Sequence, residues 1–267
     1  MSFACWRSAA RVAVVLGFSA VALGTVAPTV DADEQRASRL GLALSVMPTG
    51  LALGDVNAGI DLLNQETASL GSPFNAQAPI DNITWDGLWQ AELKYFVTRK
   101  WAVVGGIGQI KKESKLELQP VADGSTLIRA YVRSVPIHLG ADYYFEPRTS
   151  GDFTMRPFVG GGYMRVGETK VTAGYDLMRP DTTLQTIVTG TGRGHGAWVE
   201  AGAHLMFPSR YSILINANYR YAKTGAMTNV ETGDPLEIVP GEDFVTDISG
   251  FGLRFALQIN LWGKPPE

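Results

Sequence analysis

Large apolar side chains occupy every second position of the stretch from Ser249 to Trp262. These positions are Phe251, Leu253, Phe255, Leu257, Ile259 and Leu261, and the residues between them are small or polar. Because side chains along a strand alternate between its two faces, one face of this segment is apolar throughout. At roughly 3.3 Å per residue, twelve residues cover about 40 Å, enough to cross a membrane when tilted. The pattern therefore predicts a long strand with one face toward lipid.

Seven other segments show the same period of two. They are Arg39–Met47, Gly87–Val97, Trp101–Ile107, Thr126–Phe145, Arg156–Gly167, Gly196–Phe207 and Tyr211–Ala222. The connections between the eight segments alternate in length. Thr98–Lys100 and Pro208–Arg210 are tight turns and Glu146–Met155 is of moderate length, whereas the long connections are Pro48–Asp86, Lys111–Ser125, Glu168–His195 and Lys223–Asp247. Short turns at one end and long loops at the other are typical of outer-membrane barrels.

We therefore predict an all-β fold: an eight-stranded antiparallel up-and-down transmembrane β-barrel with short periplasmic turns and long extracellular loops. A soluble barrel or sandwich with its apolar face inward would give the same alternation. Loop asymmetry and an export signal favour the membrane barrel, as do aromatic residues near strand ends. These aromatics are Trp89, Tyr95, Trp101, Tyr143, Phe145, Phe207, Tyr211 and Tyr221.

Two of the long loops carry patterns of their own. In the first, Val56, Ile60, Leu63 and Thr67 have helical spacing and predict a short amphipathic helix. This helix would either pack on the barrel rim or act as a membrane-surface or ligand-gating element. In the second, alternation continues toward Asp123-Gly124, a tight-turn signal, so we expect a hairpin that extends past the membrane. The other two long loops are expected to be mobile.

The first 32 residues resemble a secretory signal peptide. Arg7 and Arg11 precede an apolar core from Val12 to Val26, and a small-residue cleavage site ends at Ala32. Residues 33–267 would then form the barrel domain, exported to the bacterial outer membrane. Removal of Arg7, Arg11 and Asp31 takes the 23 basic and 26 acidic residues to 21 and 25, which argues against nucleic acid as a partner. A mean hydropathy of +0.03 is too low for a helical membrane protein.

The polar faces of four strands form the main candidate site. These faces carry Glu92 and Lys94, Glu200 and His204, Asn216, Asn218 and Arg220, and Arg254, Gln258 and Asn260. All of them would point into an eight-stranded barrel, whose interior is just filled by side chains. Buried charges there are expected to pair across the lumen. A wet lumen without defined pairs is equally compatible with these residues.

The sequence predicts no catalytic, metal or cofactor site. Glu200 and His204 share a face but lie roughly 13 Å apart along a strand, too far for a hydrogen bond. His195 lies in a glycine-rich stretch, Gly190–Gly196, with no adjacent serine. We interpret that stretch as a loop, because it does not follow a strand and open a helix as a phosphate-binding motif would.

Four stretches resemble small outer-membrane β-barrel proteins, the OmpA-transmembrane-domain and OmpW-like group. They are Ser134–Phe145, Arg156–Tyr163, Tyr211–Tyr221 and Ser249–Phe255. Members often end on an aromatic residue, whereas here Trp262 is followed by five more residues. The resemblance implies a non-enzymatic barrel with a structural, binding or adhesion role through its external loops. Alternatives are passage of small hydrophobic solutes, as in OmpW-like barrels, or a lipid-modifying barrel enzyme. Implied partners are outer-membrane lipid, lipopolysaccharide and the barrel-assembly machinery; the extracellular ligand stays unknown.

Overall fold

The computed structural model describes residues 39–69, 80–121, 124–150, 153–179 and 182–261. The proposed signal peptide, Asp123 and Trp262 lie outside these ranges. The described elements are, in chain order, β1 (Leu40–Gly50), α1 (Gly54–Ser69), β2 (Trp85–Phe96), β3 (Trp101–Val121), β4 (Gly124–Tyr144), β5 (Arg148–Ser150), β6 (Phe153–Arg179), β7 (Thr182–Met206), β8 (Tyr211–Thr224), β9 (Thr228–Asn229), β10 (Glu237–Val239), β11 (Glu242–Asp243) and β12 (Gly250–Asn260).

Eight of these strands form a closed antiparallel barrel. Each long strand pairs with the next one along the chain, in the order β1, β2, β3, β4, β6, β7, β8 and β12. The last strand returns to the first, with Leu44 facing Leu257 and Val46 facing Phe255. Closure satisfies the backbone hydrogen bonds of both would-be edges. The predicted eight-stranded up-and-down barrel is therefore confirmed.

Four neighbouring strands are about twice as long as the others. β3 and β4 have 21 residues each, and β6 and β7 have 27 and 25, whereas β1 and β12 have 11. At roughly 3.3 Å per residue, the extra residues carry two hairpins about 30 Å or more past the end of the short strands. The expected hairpin from β3 to β4 is confirmed, with pairing from Trp101↔Tyr143 to Val121↔Gly124. We call the end of the barrel that carries these two hairpins the long-hairpin end, and we call the opposite end the short-turn end.

The interpretation of residues 168–195 as a mobile loop was wrong. This segment is the paired continuation of β6 and β7, which stay in register as far as Arg179↔Thr182. The glycine-rich stretch from Gly190 to Gly196 is likewise strand. A β-bulge at residues 167 and 168 of β6 shifts the alternation by one residue, so that Val166 and Thr169 both face inward. A strand prediction that follows strict alternation of apolar and polar residues stops at such a shift.

The outer surface of the barrel carries an apolar belt. It includes the predicted outward residues of β12, with Leu257 50% exposed, while its neighbour Gln258 is fully buried. Trp101 and Tyr143 pack edge to face at the short-turn end, with their ring centroids 5.1 Å apart. On β3 the belt ends at Ile107, because the next outward residues are Gln109 and Lys111. We use the name apolar belt for this outward surface of the eight barrel strands.

The interior is layered along the barrel axis. Along β2 the inward residues are Phe96, Lys94, Glu92, Gln90 and Leu88 from the short-turn end upward. Phe96 belongs to a small apolar cluster that closes the short-turn end with Ala43, Ala102, Tyr144, Phe158, Leu214 and Ala256. Leu88 belongs to a larger apolar cluster at the long-hairpin end, which we call the upper core. Charged side chains lie between the two.

Helix α1 packs into the upper core, in agreement with the first of the two predicted alternatives, a helix on the barrel rim. Val56 and Ile60 are 3% and 1% exposed and contact buried residues of the barrel wall. Asn57 holds the chain after the helix through two hydrogen bonds to the backbone of Ile83, at 2.9 and 3.2 Å. Asn64 does the same to the backbone of Ile80, at 2.9 and 3.1 Å. The helix therefore covers the opening of the barrel at this end.

Residues 225–249 complete the cover. Met227 and Ile248 are fully buried in the upper core, so the expectation of a mobile loop does not describe this packing. Lys223 Nζ lies 2.8 Å from Asp247 Oδ2, and this hydrogen bond raises the pKa of Lys223. The backbone N–H of Val245 donates to Asp55 of α1 at 2.8 Å. The segment is thus tied both to the barrel wall and to the helix.

Candidate functional site in the barrel lumen

Six buried residues form one charged cluster across the middle of the lumen. We call it the lumen network: Glu92, Lys94, His138, Asp142, Glu200 and Arg254. They come from β2, β4, β7 and β12, and each is no more than 6% exposed. Strand alternation places all six on inward positions. Strand pairing then brings them to similar heights, as shown by the pairing of Glu92 and of His138 with the same residue, Gly106.

Two interior glycines leave room for this cluster. A Cβ atom at Gly106 would lie 2.5 Å from Cε1 of His138, and one at Gly160 would lie 2.1 Å from Oδ1 of Asp142. Real Cβ atoms do not approach other heavy atoms this closely. The glycines therefore allow an imidazole and a carboxylate to lie flat against the neighbouring strand.

Arg254 joins the two glutamates from opposite walls of the barrel. Its Nη1 atom lies 3.0 Å from Glu92 Oε2 and 3.4 Å from Glu200 Oε2. Asn216 donates a further hydrogen bond to the same oxygen of Glu200. Since Arg254 is 1% exposed, these contacts replace water around one nitrogen of a guanidinium group whose desolvation is costly, whereas its Nε and Nη2 atoms have no hydrogen-bond partner among the described residues.

Lys94 forms the second half of the cluster. Its ammonium group lies 2.6 Å from Asp142 Oδ2 and 3.9 Å from Glu92 Oε1, and it donates to the Tyr144 hydroxyl at 3.0 Å. It also lies 4.9 Å from the ring centroid of Phe158, within cation–π range. His138 Nε2 lies 3.1 Å from Glu92 Oε2. Glu92 therefore links the arginine, lysine and histidine into one network.

The other six predicted lumen residues, which include Asn216 beside Glu200, lie inside the barrel but outside this cluster. Arg220 donates to the backbone oxygens of Ile248 at 2.7 Å and Gly50 at 3.5 Å, at the base of the cover. Gln258 donates to Asn260 at 2.9 Å near the short-turn end. Asn218 is buried beside the cavity described below. His204 contacts Ser212, at a lower level than Glu200.

Sequence reasoning left Asp142 and His138 out of the network. Their inward orientation was predictable, because both share the polar face of β4 with Ser134 and Tyr144. Their proximity to Glu92 and Lys94 was not, since it depends on pairing between strands that lie 46 to 50 residues apart along the chain. Alternation fixes which face a residue occupies, whereas register between strands fixes its neighbours.

A buried histidine and serine, His204 and Ser212, have part of the geometry of a nucleophilic catalyst. His204 Nε2 lies 2.7 Å from Ser212 Oγ, the distance at which a base could activate a nucleophile. Among the described residues, no group accepts from or donates to His204 Nδ1, so the carboxylate that orients such a histidine is missing. Both side chains are also fully buried. The pair therefore fills the lumen as a hydrogen-bonded unit.

A small cavity separates the network from the upper core. Its volume is about 20 Å³, and its walls include Glu92, Glu200, Trp198 and Arg220. Such a volume accommodates about one water molecule. In the described parts of the chain, Glu200 Oε1, Trp198 Nε1 and Arg220 Nη1 have no hydrogen-bond partner and are available to it. Nothing larger than water fits in this cavity.

The described residues contain no group of three or more histidine, cysteine or carboxylate side chains placed to hold a metal ion. Within the same residues, no helix is long and apolar enough to cross a membrane.

No family model matches the chain, and neither does any curated protein. Several solved structures are similar to it. OprG, an outer membrane protein from Pseudomonas aeruginosa, has 12% sequence identity and a TM-score of 0.45, with 84% of this chain and 96% of that chain covered. Neisserial surface protein A has 10% identity and a TM-score of 0.37, covering 84% and 98%. The N-terminal β-barrel domain of Pseudomonas aeruginosa OprF has 10% identity and a TM-score of 0.34, covering 82% and 96%. The fold assignment rests on the strand pairing of this chain itself.

Proposed function

We propose that this protein is a non-enzymatic outer-membrane barrel that acts through its long-hairpin end, as a structural or binding element at the cell surface. In this proposal the apolar belt faces lipid, the short turns are periplasmic and the long hairpins are extracellular. The apolar belt supports this orientation in lipid. Large apolar side chains on it, such as Trp89 at 65% exposed, are not covered by other parts of the described chain, and lipid would cover them.

The observation that carries the proposal is the blocked lumen. From the short-turn end upward, the interior holds an apolar cluster around Phe158, then the lumen network, then the upper core beneath α1. Between the lumen network and the upper core lies the cavity of about 20 Å³, which accommodates about one water molecule. A solute would have to break buried ion pairs and displace a packed helix, so we do not favour passage of solutes through the lumen.

The long hairpins support a role at the surface. β6 and β7 stay paired for more than ten residues beyond the bulge, and the described outward side chains there include polar ones such as Lys170 and Thr191. Paired strands hold such side chains in fixed positions, which suits recognition better than a mobile loop does. We infer that the ligand or partner binds to these hairpins and the adjoining cover.

Heat modifiability and cell fractionation test the location. A barrel with every strand paired resists detergent, so the unboiled protein should migrate differently from the boiled protein on a detergent gel. It should also fractionate with the outer membrane. Recovery as a soluble periplasmic protein would overturn the proposal. Release or transfer of acyl chains, when the purified barrel is incubated with phospholipid or lipopolysaccharide, would show a lipid-modifying enzyme instead.

A further inference from the structure

Three cations lie side by side on the outer face of the long hairpins. Lys111 of β3 pairs directly with Arg133 of β4, and Arg133 pairs directly with Lys170 of β6. All three side chains are exposed. Facing residues in a sheet lie about 5 Å apart, so the three charges occupy a strip of roughly 10 Å. We call these three residues the basic row.

The three cations of the basic row have no ion-pair partner among the described residues, whereas some other exposed cations have one. Carboxylates nevertheless lie nearby. Asp86 Oδ2 accepts from the backbone N–H of Lys111 at 3.1 Å, and the exposed Glu113 and Glu168 lie two residues along the strand from Lys111 and Lys170. Like charges that face each other across a strand pair destabilise the sheet. A bound anion would remove this repulsion, which makes the row a candidate anion site.

The position of the row indicates the source of the anion. On β3, Lys111 is two outward positions above Ile107, the last residue of the apolar belt. On β4, Arg133 is likewise two outward positions above Ile137, which is 46% exposed. The row therefore begins where the acyl layer ends and lipid head groups begin. A ligand with both a phosphate group and acyl chains would contact the row and the belt together.

We propose that the basic row binds the phosphate groups of lipopolysaccharide in the outer leaflet. This inference rests on the proposed function, because it requires the long hairpins to be extracellular. The acyl chains lie against Ile107 and Ile137 of the belt, and the phosphates bridge the three cations. Arg133 supplies a planar guanidinium group, which suits bidentate contact with phosphate oxygens.

The test uses the purified full barrel in non-ionic detergent and lipid A that carries both phosphates as the probe. The triple variant Lys111→Gln, Arg133→Gln, Lys170→Gln should bind it about tenfold more weakly than the unaltered protein, since each exposed charge contact contributes a fraction of the whole. A control triple, Lys100→Gln, Arg148→Gln, Arg210→Gln, removes the same charge from exposed positions at the short-turn end. It should leave the affinity unchanged, as should Lys112→Gln on the opposite face of β3.

Three other probes separate the possible sources of the anion. Dephosphorylated lipid A should bind more weakly than lipid A and should not distinguish the basic-row variant from the unaltered protein. Inorganic phosphate, which has no acyl chains, should bind far more weakly than lipid A. Equal binding of inorganic phosphate or of a heparin oligosaccharide would overturn the proposal in favour of a general anion site. Equal affinity of the basic-row variant and the unaltered protein for lipid A would also overturn it.

Two measurements keep the inference separate from the proposed function. The double variant Lys111→Arg, Lys170→Arg keeps the charge of the basic row and should bind lipid A as tightly as the unaltered protein. Weaker binding by this variant would contradict a phosphate contact. Each variant should keep the heat-modifiable band, which shows that its barrel is closed. If the barrel is found in the outer membrane but the basic-row variant binds lipid A normally, only the inference about the basic row is contradicted. If the barrel is not found in the outer membrane, the proposed function itself is contradicted.

Discussion

Arg254 is the residue on which the lumen network depends most. Its single Nη1 atom contacts carboxylates from two strands on other parts of the wall, and its surroundings exclude solvent. A buried ion pair of this kind need not stabilise a protein more than apolar side chains of equal volume would. Removal of one partner is different, because it leaves the other charge desolvated and unpaired.

We therefore predict that Arg254→Ala lowers the free energy of unfolding by about 3–5 kcal/mol. The matched control is Lys100→Ala, which breaks the exposed 2.6 Å ion pair with Glu146 at the short-turn end and should cost far less, because solvent screens that pair. Urea unfolding of the barrel in detergent micelles or lipid vesicles measures both. A cost for Arg254→Ala as small as that of the control would mean that water enters the lumen and solvates the glutamates.

Leu257 tests the apolar belt. It lies outward on β12, half exposed, and in register with Leu44 of β1 and Ile213 of β8. We predict that Leu257→Arg costs about 2–4 kcal/mol in lipid vesicles, because it places a cation near the middle of the acyl layer. Gln109→Arg makes the same kind of change at an outward position above the belt and should cost about 0–1 kcal/mol. Equal costs for the two variants would contradict a lipid-facing belt.

At the scale of elements, α1 is the part that turns an open barrel end into a packed one. Ile60 is buried in the upper core, whereas Leu62, two residues further along the helix, is 44% exposed. We predict that Ile60→Ala destabilises the cover by about 2–5 kcal/mol, as other buried aliphatic truncations do. The measurement is the rate at which a protease cleaves residues 51–84 in the folded barrel. Ile60→Ala should increase the rate and Leu62→Ala should not; equal rates would show that the helix does not pack as described.

Sequence periodicity was sufficient for the strands that keep strict alternation. β8 and β12 were predicted to within about two residues at each end, and the face of every residue named on β12 was right. It failed for β6 and β7 because the bulge at residues 167 and 168 shifts the inward face, and because glycines such as Gly190 and Gly192 resemble loop residues. Local patterns do not carry the information that a distant partner strand supplies.

The apolar part of the interior was also beyond prediction from the sequence. Inward residues above the lumen network, such as Ile110 on β3 and Val132 on β4, are apolar, although alternation leads one to expect small or polar residues in a lumen. They are apolar because they lie beneath α1 and the segment from 225 to 249, which turn this end of the barrel into a packed core. That packing depends on the tertiary position of two loops. The same dependence explains why the lumen residues could be listed from the sequence but not assigned to pairs.

At the scale of the whole molecule, the protein is a barrel wall around a packed interior. The short-turn end is closed by aromatic and small apolar side chains, the middle by ion pairs, and the long-hairpin end by a helix and a folded segment. Each layer blocks the lumen independently of the other two. Loss of one layer is therefore expected to lower stability before it opens a continuous path.

Single-channel recording in planar bilayers tests this central claim most directly. We predict that the purified barrel, inserted in its heat-modifiable form, shows no large steady conductance, and that neither Arg254→Ala nor Ile60→Ala opens a steady channel alone. An inserted porin added to the same bilayer serves as the positive control. Steady porin-like conductance from the unaltered barrel would contradict the account, because it would require a continuous water-filled path through the lumen network and the upper core.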